Sequence, residues 1–212
     1  MNELKQYGII PIGFKTIANK LSSYKSPKDK VSKFEKSGHL IRLKKGLYIV
    51  SPDITNQSIS KELIANHLYG PSYISLESAL SYYGLIPERV YGVSSVTFKR
   101  KKGYSTAMGN FEYFTVPEKY FPVGISQKVV ENKYAYLMAS PEKALCDLIV
   151  TRSGIRFQSV KAVKEFLIQD LRIDFEVLQK WDVSIVEECC KHGYKKVELL
   201  LLNKFLKNEF DI

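Results

Sequence analysis

Between positions 25 and 36 the chain sets Lys25, Ser26, Lys28, Asp29, Ser32, Lys33 and Lys36 around the apolar pair Val31 and Phe34. Ammonium groups neutralise phosphates, while short hydroxyl and carboxylate side chains hydrogen-bond to base edges in the major groove. A few residues on, Arg42, Lys44 and Lys45 surround Gly46. Such a tip suits contact with a neighbouring phosphodiester backbone. A second basic run, Lys99-Arg100-Lys101-Lys102, precedes Gly103. It would extend the same contact or meet RNA or an acidic partner; its plainer reading is a solvated turn between strands.

The elements that must position these groups are marked locally. Ser26-Pro27 supplies a helix start, with a side-chain oxygen at the N-cap and a ring suited to the first helical position. Gly38 is placed to end that helix after its C-cap. Upstream, Phe14, Ile17, Ala18 and Leu21 share one helical face. Downstream the period shortens to that of strands: His39 to Leu43 and Leu47 to Val50 flank Lys44-Lys45-Gly46, a hairpin whose tip needs positive φ. Two helices and a basic-tipped hairpin predict a winged helix-turn-helix over residues 1–55, with DNA contacts from Lys25 to Lys36 and from Arg42 to Lys45. Residues before Phe14 would add a short first helix, limited by Pro11. Ser51-Pro52-Asp53 reads as the exit.

Charge follows the same division. The chain carries a net charge of +10 over 212 residues. Residues 1–55 hold eleven basic side chains against Glu3, Asp29, Glu35 and Asp53, an excess of +7. A local basic surface attracts polyanions.

Residues 56–212 read as an α+β domain with a helical C-terminal subregion. Ile59, Leu63, Ile64 and Leu68 predict one helix; a second runs from an N-cap at Ser75 to a stop at Gly84. Val90–Phe98, Phe111–Val116 and Tyr134–Met138 read as strands. Pro141–Thr151 follows with Ser140 as its cap. Further helical segments are Val160–Leu167, Phe175–Lys180, a capping box Ser184–Glu187 leading to Gly193, and Lys195–Leu206. Tyrosine and phenylalanine crowd residues 69–114, which suits core packing or a protein-binding face.

Catalysis finds no pattern here: the chain lacks H-E-x-x-H, G-x-S-x-G and P-loop spacings. His39, His67 and His192 are scattered. Cys189, Cys190 and His192 do not follow the spacing rules for zinc, and with Cys146 the cysteines read as thiols of a reducing compartment. No catalytic residue, metal or cofactor is expected. No leader and no membrane-spanning run is apparent either, so a cytoplasmic protein without membrane contact is expected.

Three blocks resemble the type IV abortive-infection (AbiEi-like) antitoxins. They are Ser37-Gly-His-Leu-Ile-Arg-Leu-Lys-Lys-Gly-Leu-Tyr, Tyr73-Ile-Ser-Leu-Glu-Ser-Ala-Leu-Ser-Tyr-Tyr-Gly-Leu-Ile-Pro-Glu, and Ser140-Pro-Glu-Lys-Ala-Leu-Cys-Asp-Leu. The resemblance spans roughly residues 10–155. It implies a winged helix that binds operator repeats and represses its own operon, and a second domain that opposes a nucleotidyltransferase-like toxin. It assigns no antitoxin site to particular residues. Two other readings are a stand-alone regulator whose second domain binds a ligand or protein, and a nucleic-acid-processing enzyme.

Overall fold

The computed structural model describes residues 2–178 and 180–210 of a mixed α+β protein. The N-terminal residues form α1 (Asn2–Lys5), β1 (Ile12–Gly13), α2 (Phe14–Lys20), α3 (Pro27–Lys36), β2 (Leu40–Lys44) and β3 (Leu47–Val50). The strands make an antiparallel sheet in the order β1-β3-β2, with Ile12 opposite Tyr48. The two residues of β1 gave no signal in the sequence, because a pair so short is defined by its non-local partner.

Local chemistry explains the ends of α3. Ser26 Oγ accepts from the Asp29 N–H, and Pro27 fills the first helical position. At the other end Gly38 takes φ +73°, which lets the His39 N–H reach the Phe34 carbonyl. Gly46 turns the hairpin at φ +79°. The inner faces of these elements, with Ile54 just beyond β3, bury Leu4, Ile12, Ile17, Leu21, Val31, Phe34, Leu40, Tyr48 and Val50 in one small core.

The hairpin has a second allegiance. Leu43 and Ile49 belong to the large core of the remaining chain, and Ile41 and Leu47 pack against it. Side chains alternate sides along a strand, so Leu40, Tyr48 and Val50 serve one core and Ile41, Leu43, Leu47 and Ile49 the other. A register shift between Arg42 and Lys44 interrupts the ladder near the tip.

After α4 (Pro52–Thr55), whose Ile54 belongs to the small core, the large core is built on α5 (Lys61–Leu68), β4 (Tyr73–Ile74), α6 (Leu76–Tyr82), β5 (Val93–Thr97), β6 (Lys102–Thr106), β7 (Gly109–Thr115), β8 (Ile125–Val130), β9 (Tyr134–Ala139) and α7 (Pro141–Thr151). Six strands run in the order β6-β7-β5-β4-β9-β8, with parallel pairs β4/β9 and β5/β7. Because β4 is so short, β9 has an open edge beyond it. The Asn66 carboxamide fills part of that edge, accepting from the Leu137 N–H at 2.6 Å and donating to its carbonyl at 3.4 Å.

Behind the sheet lies α7, whose residues Glu142 to Val150 are all buried. The C-terminal helices α8 (Val160–Glu165), α9 (Phe175–Leu178), α10 (Val183–His192) and α11 (Lys196–Phe210) follow, with a π-helical turn at Phe166–Asp170. The helix expected at Phe175–Lys180 includes Gln179, which lies outside the described residues. The capping box expected at Ser184 is a correction. Asp182 is the N-cap, and its carboxylate takes the Ser184 N–H at 3.0 Å, placing Ser184 inside the helix. No helix among the described residues is long and apolar enough to cross a membrane.

Candidate nucleic-acid interface

The outward side of α3 follows from its helical period. With Val31 and Phe34 buried, Lys28, Ser32 and Lys36 fall in one exposed row and Asp29 and Lys33 in the next. Lys25 is exposed just before the helix, whereas Ser26 is partly buried and spends its hydroxyl on the cap. Lys30, on the flank, lies over the rings of Tyr24 and Phe34 at 4.7 and 4.9 Å. Among the described residues, Lys25, Lys28, Lys33 and Lys36 have no carboxylate within 4 Å. By contrast, Lys133, Lys143, Arg152, Arg156, Lys164, Arg172, Lys191 and Lys207 of the rest of the chain are ion-paired.

The hairpin residues divide three ways. Arg42 is exposed but paired: it donates to Glu35 at 2.7 Å and lies over the Tyr48 ring. That carboxylate raises its pKa through a hydrogen bond and charge. Lys45 is exposed at the tip. Lys44 points the other way. Its ammonium donates to the Leu68 carbonyl at 2.5 Å, and burial, Lys102 and Lys99 together lower its pKa.

That orientation brings two distant basic runs together. Lys44 meets the segment at 99–102, where Lys102 opens β6 at one edge of the large sheet. Lys99 and Lys102 stand over the Tyr69 ring and Lys102 also over Tyr104. Lys101 faces the other side of the sheet, 5.0 Å from the Phe114 ring. Arg100 is exposed, and its carbonyl accepts from the Tyr69 hydroxyl at 3.3 Å.

Two features of this surface escaped the sequence reading. Lys15, Thr16, Asn19 and Lys20 form the exposed side of α2. They are the complement of the apolar face Phe14, Ile17, Ala18 and Leu21, so the signal was present. The partnership of Tyr69 and Tyr104 with Lys44, Lys99 and Lys102 had no local signal at all.

A separate cluster is sealed inside the protein. Lys143 Nζ lies 3.1 Å from Asp147 Oδ1 and donates to the Tyr120 carbonyl at 3.1 Å. Both side chains have no solvent exposure. Burial pushes the Tyr73 and Tyr120 phenols well above their ordinary range, and Asp147 adds to both shifts. No group of three metal-ligating side chains is assembled among the described residues.

The chain matches no protein-family model, and no curated protein matches its sequence.

Proposed function

We propose that this protein is a DNA-binding transcriptional autorepressor and the antitoxin of a type IV toxin–antitoxin pair, with a winged helix at its N-terminus. One observation carries the DNA reading: the outward face of α3 presents Lys28, Lys33 and Lys36 without carboxylate partners among the described residues. The order helix, strand, two helices and hairpin, closed by the β1-β3-β2 sheet, supports it. In this reading α3 enters the major groove, Ser32 and Asp29 face base edges, and the lysines meet phosphates. Lys45 and Arg42 reach the adjacent backbone.

The antitoxin part rests on the resemblance of Tyr73–Glu88 and Ser140–Leu148 to the AbiEi-like family, and it assigns no catalytic residue. One observation favours a regulator that senses a ligand instead. A cleft of about 500 Å³ opens where Tyr7, Ile10 and Gln57 face Val130 and Tyr134. That volume lies in the range of small-molecule sites, which is of order 300–1,000 Å³.

The DNA reading is tested by titrating the full chain against duplex from upstream of its own gene at several salt concentrations. Replacing Lys28 and Lys33 together by glutamine is expected to lower the slope of log K against log salt by about 1–2 units. An unchanged slope and affinity removes α3 from the interface. The antitoxin reading is tested by co-expressing that full-length variant with a neighbouring nucleotidyltransferase-like toxin from an unregulated promoter. Rescue of growth separates toxin opposition from repression; failure of the wild type to rescue leaves a plain regulator.

A further inference from the structure

The end of α5 and the turn after it present two backbone carbonyls to the seam between the hairpin and the large sheet. Lys44 Nζ donates to the Leu68 carbonyl at 2.5 Å, and Lys99 Nζ to the Gly70 carbonyl at 2.6 Å. Carbonyls at the C-terminal end of a helix favour cations. Each ammonium has three donors, so these anchors fix Lys44 and Lys99 while leaving two N–H groups on each. Lys102 joins them from β6, 5.6 Å from the Tyr69 centroid and 5.1 Å from that of Tyr104. Lys99 lies 5.7 Å from Tyr69 and Lys44 5.9 Å from Tyr104. Three ammonium groups from two distant segments therefore share two rings.

Among the described residues none of the three has a carboxylate within 4 Å. Rings and carbonyls hold cations in place but do not cancel their mutual repulsion, which bears on Lys44 from both Lys99 and Lys102. An anion with several acceptor oxygens would cancel it. Phosphate suits the place, since its oxygens accept charge-assisted hydrogen bonds from several donors at once.

We propose that Lys44, Lys99 and Lys102 form a phosphate-binding site at the seam between the hairpin and the six-stranded sheet. The phosphate is either a backbone phosphodiester of bound DNA, which rests on the reading of α3 given above, or part of a free phosphate compound. In either case one anion touches the hairpin and the sheet edge together and clamps them.

The test uses the full chain and its Lys99→Gln/Lys102→Gln variant; both side chains are exposed, so the exchange leaves the cores intact. Thermal unfolding is measured in sodium pyrophosphate against sodium chloride at matched ionic strength, and the salt dependence of duplex binding is measured beside it. The wild type is expected to melt higher in pyrophosphate and the variant to lose that gain. A salt slope lowered by about two units in the variant assigns the phosphate to the DNA backbone. An unchanged slope with loss of the pyrophosphate gain assigns it to a free phosphate compound. An unchanged slope with the same pyrophosphate response in both proteins overturns the site. The Lys28→Gln/Lys33→Gln variant is titrated alongside. If it binds DNA as the wild type does, α3 is misread, while the pyrophosphate comparison still decides the seam.

Discussion

Ser75 Oγ donates to Asp147 Oδ2 at 2.6 Å, joining residues 72 positions apart at sites with no solvent exposure. Ser75 stands at the N-cap of α6, yet its side chain makes no capping bond there. The hydroxyl has left its local role for a partner on α7. Asp147 is thereby held between Ser75 and Lys143, and the three side chains tie the start of α6 to the helix behind the sheet.

Removing one charge of this group leaves the other buried and alone. Asp147→Ala and Lys143→Met are each expected to cost about 3–5 kcal/mol in denaturant unfolding. Ser75→Ala strips a single donor from Asp147 and is expected to cost about 1–3 kcal/mol. Equal costs for all three variants would mean that the ion pair contributes nothing beyond the hydrogen bond.

Glu35 restrains Arg42. If α3 and the hairpin face DNA, Glu35→Gln releases the guanidinium to a phosphate and removes a nearby repulsive charge. Duplex affinity at low salt is expected to rise and the salt slope to steepen by about one unit. A weaker complex would show that Glu35 positions Arg42 for contact.

Two glycines with positive φ separate strain from crowding. A Cβ at Gly84, φ +69°, meets nothing within 4 Å. One at Gly124, φ +62°, meets Ile185 Cγ2 at 2.8 Å and Lys143 Cβ at 2.9 Å. Gly84→Ala carries only the left-handed backbone cost, about 1–2 kcal/mol. Gly124→Ala adds overpacking of about 1–3 kcal/mol against α7 and α10. Urea midpoints measure the difference, and equal shifts would contradict it.

Alkaline pH is expected to destabilise the protein. Burial, ahead of the charges of Cys189 and Glu187, pushes the Cys190 thiol from 9.0 up to about 11. Burial also raises the Tyr113 phenol, whose hydroxyl donates to the Ala65 carbonyl at 2.7 Å. Above pH 9 the unfolded chain releases these protons first, so it binds fewer than the native state and stability falls as pH rises. The contribution of Cys190 is present below pH 9 and is lost between about pH 9 and 11. Melting temperatures from pH 8 to 11 are expected to drop, with a shallower drop for Cys190→Ala. A flat profile would show that these groups ionise alike in both states.

What the sequence disclosed was what short-range chemistry controls. Ser26, Pro27 and Gly38 bracket α3, Ser140 caps α7, and Gly84 closes the segment after α6, all within a few residues of the elements they define. The edge strands β6 and β8 were missed because half-exposed, polar stretches such as Lys102–Thr106 lack an apolar alternation. At the candidate interface, the exposed lysines of α3 followed from helical period. The inward turn of Lys44 did not, because its partner carbonyl lies 24 residues away. Lys143 and Asp147 were in plain view within an apolar helix. Two opposite charges four residues apart on a buried face are a legible sign of an internal pair.

The hairpin of β2 and β3 has no idle face, and this governs how it can vary. Alternate residues answer to different neighbours, so a one-residue deletion at the tip would reverse one strand against the other, sending Tyr48 and Val50 toward the sheet and Ile49 toward the helices if β3 shifts, or exchanging Leu40 and Leu43 between the cores if β2 does. A strand with one wet side survives such a slip by trading some apolar contact for water. Here each wrong side chain displaces a right one in a packed interior on both sides at once. Lineages of this protein are therefore expected to keep the length of residues 40–50 fixed while exchanging side chains of similar volume, and to place insertions elsewhere.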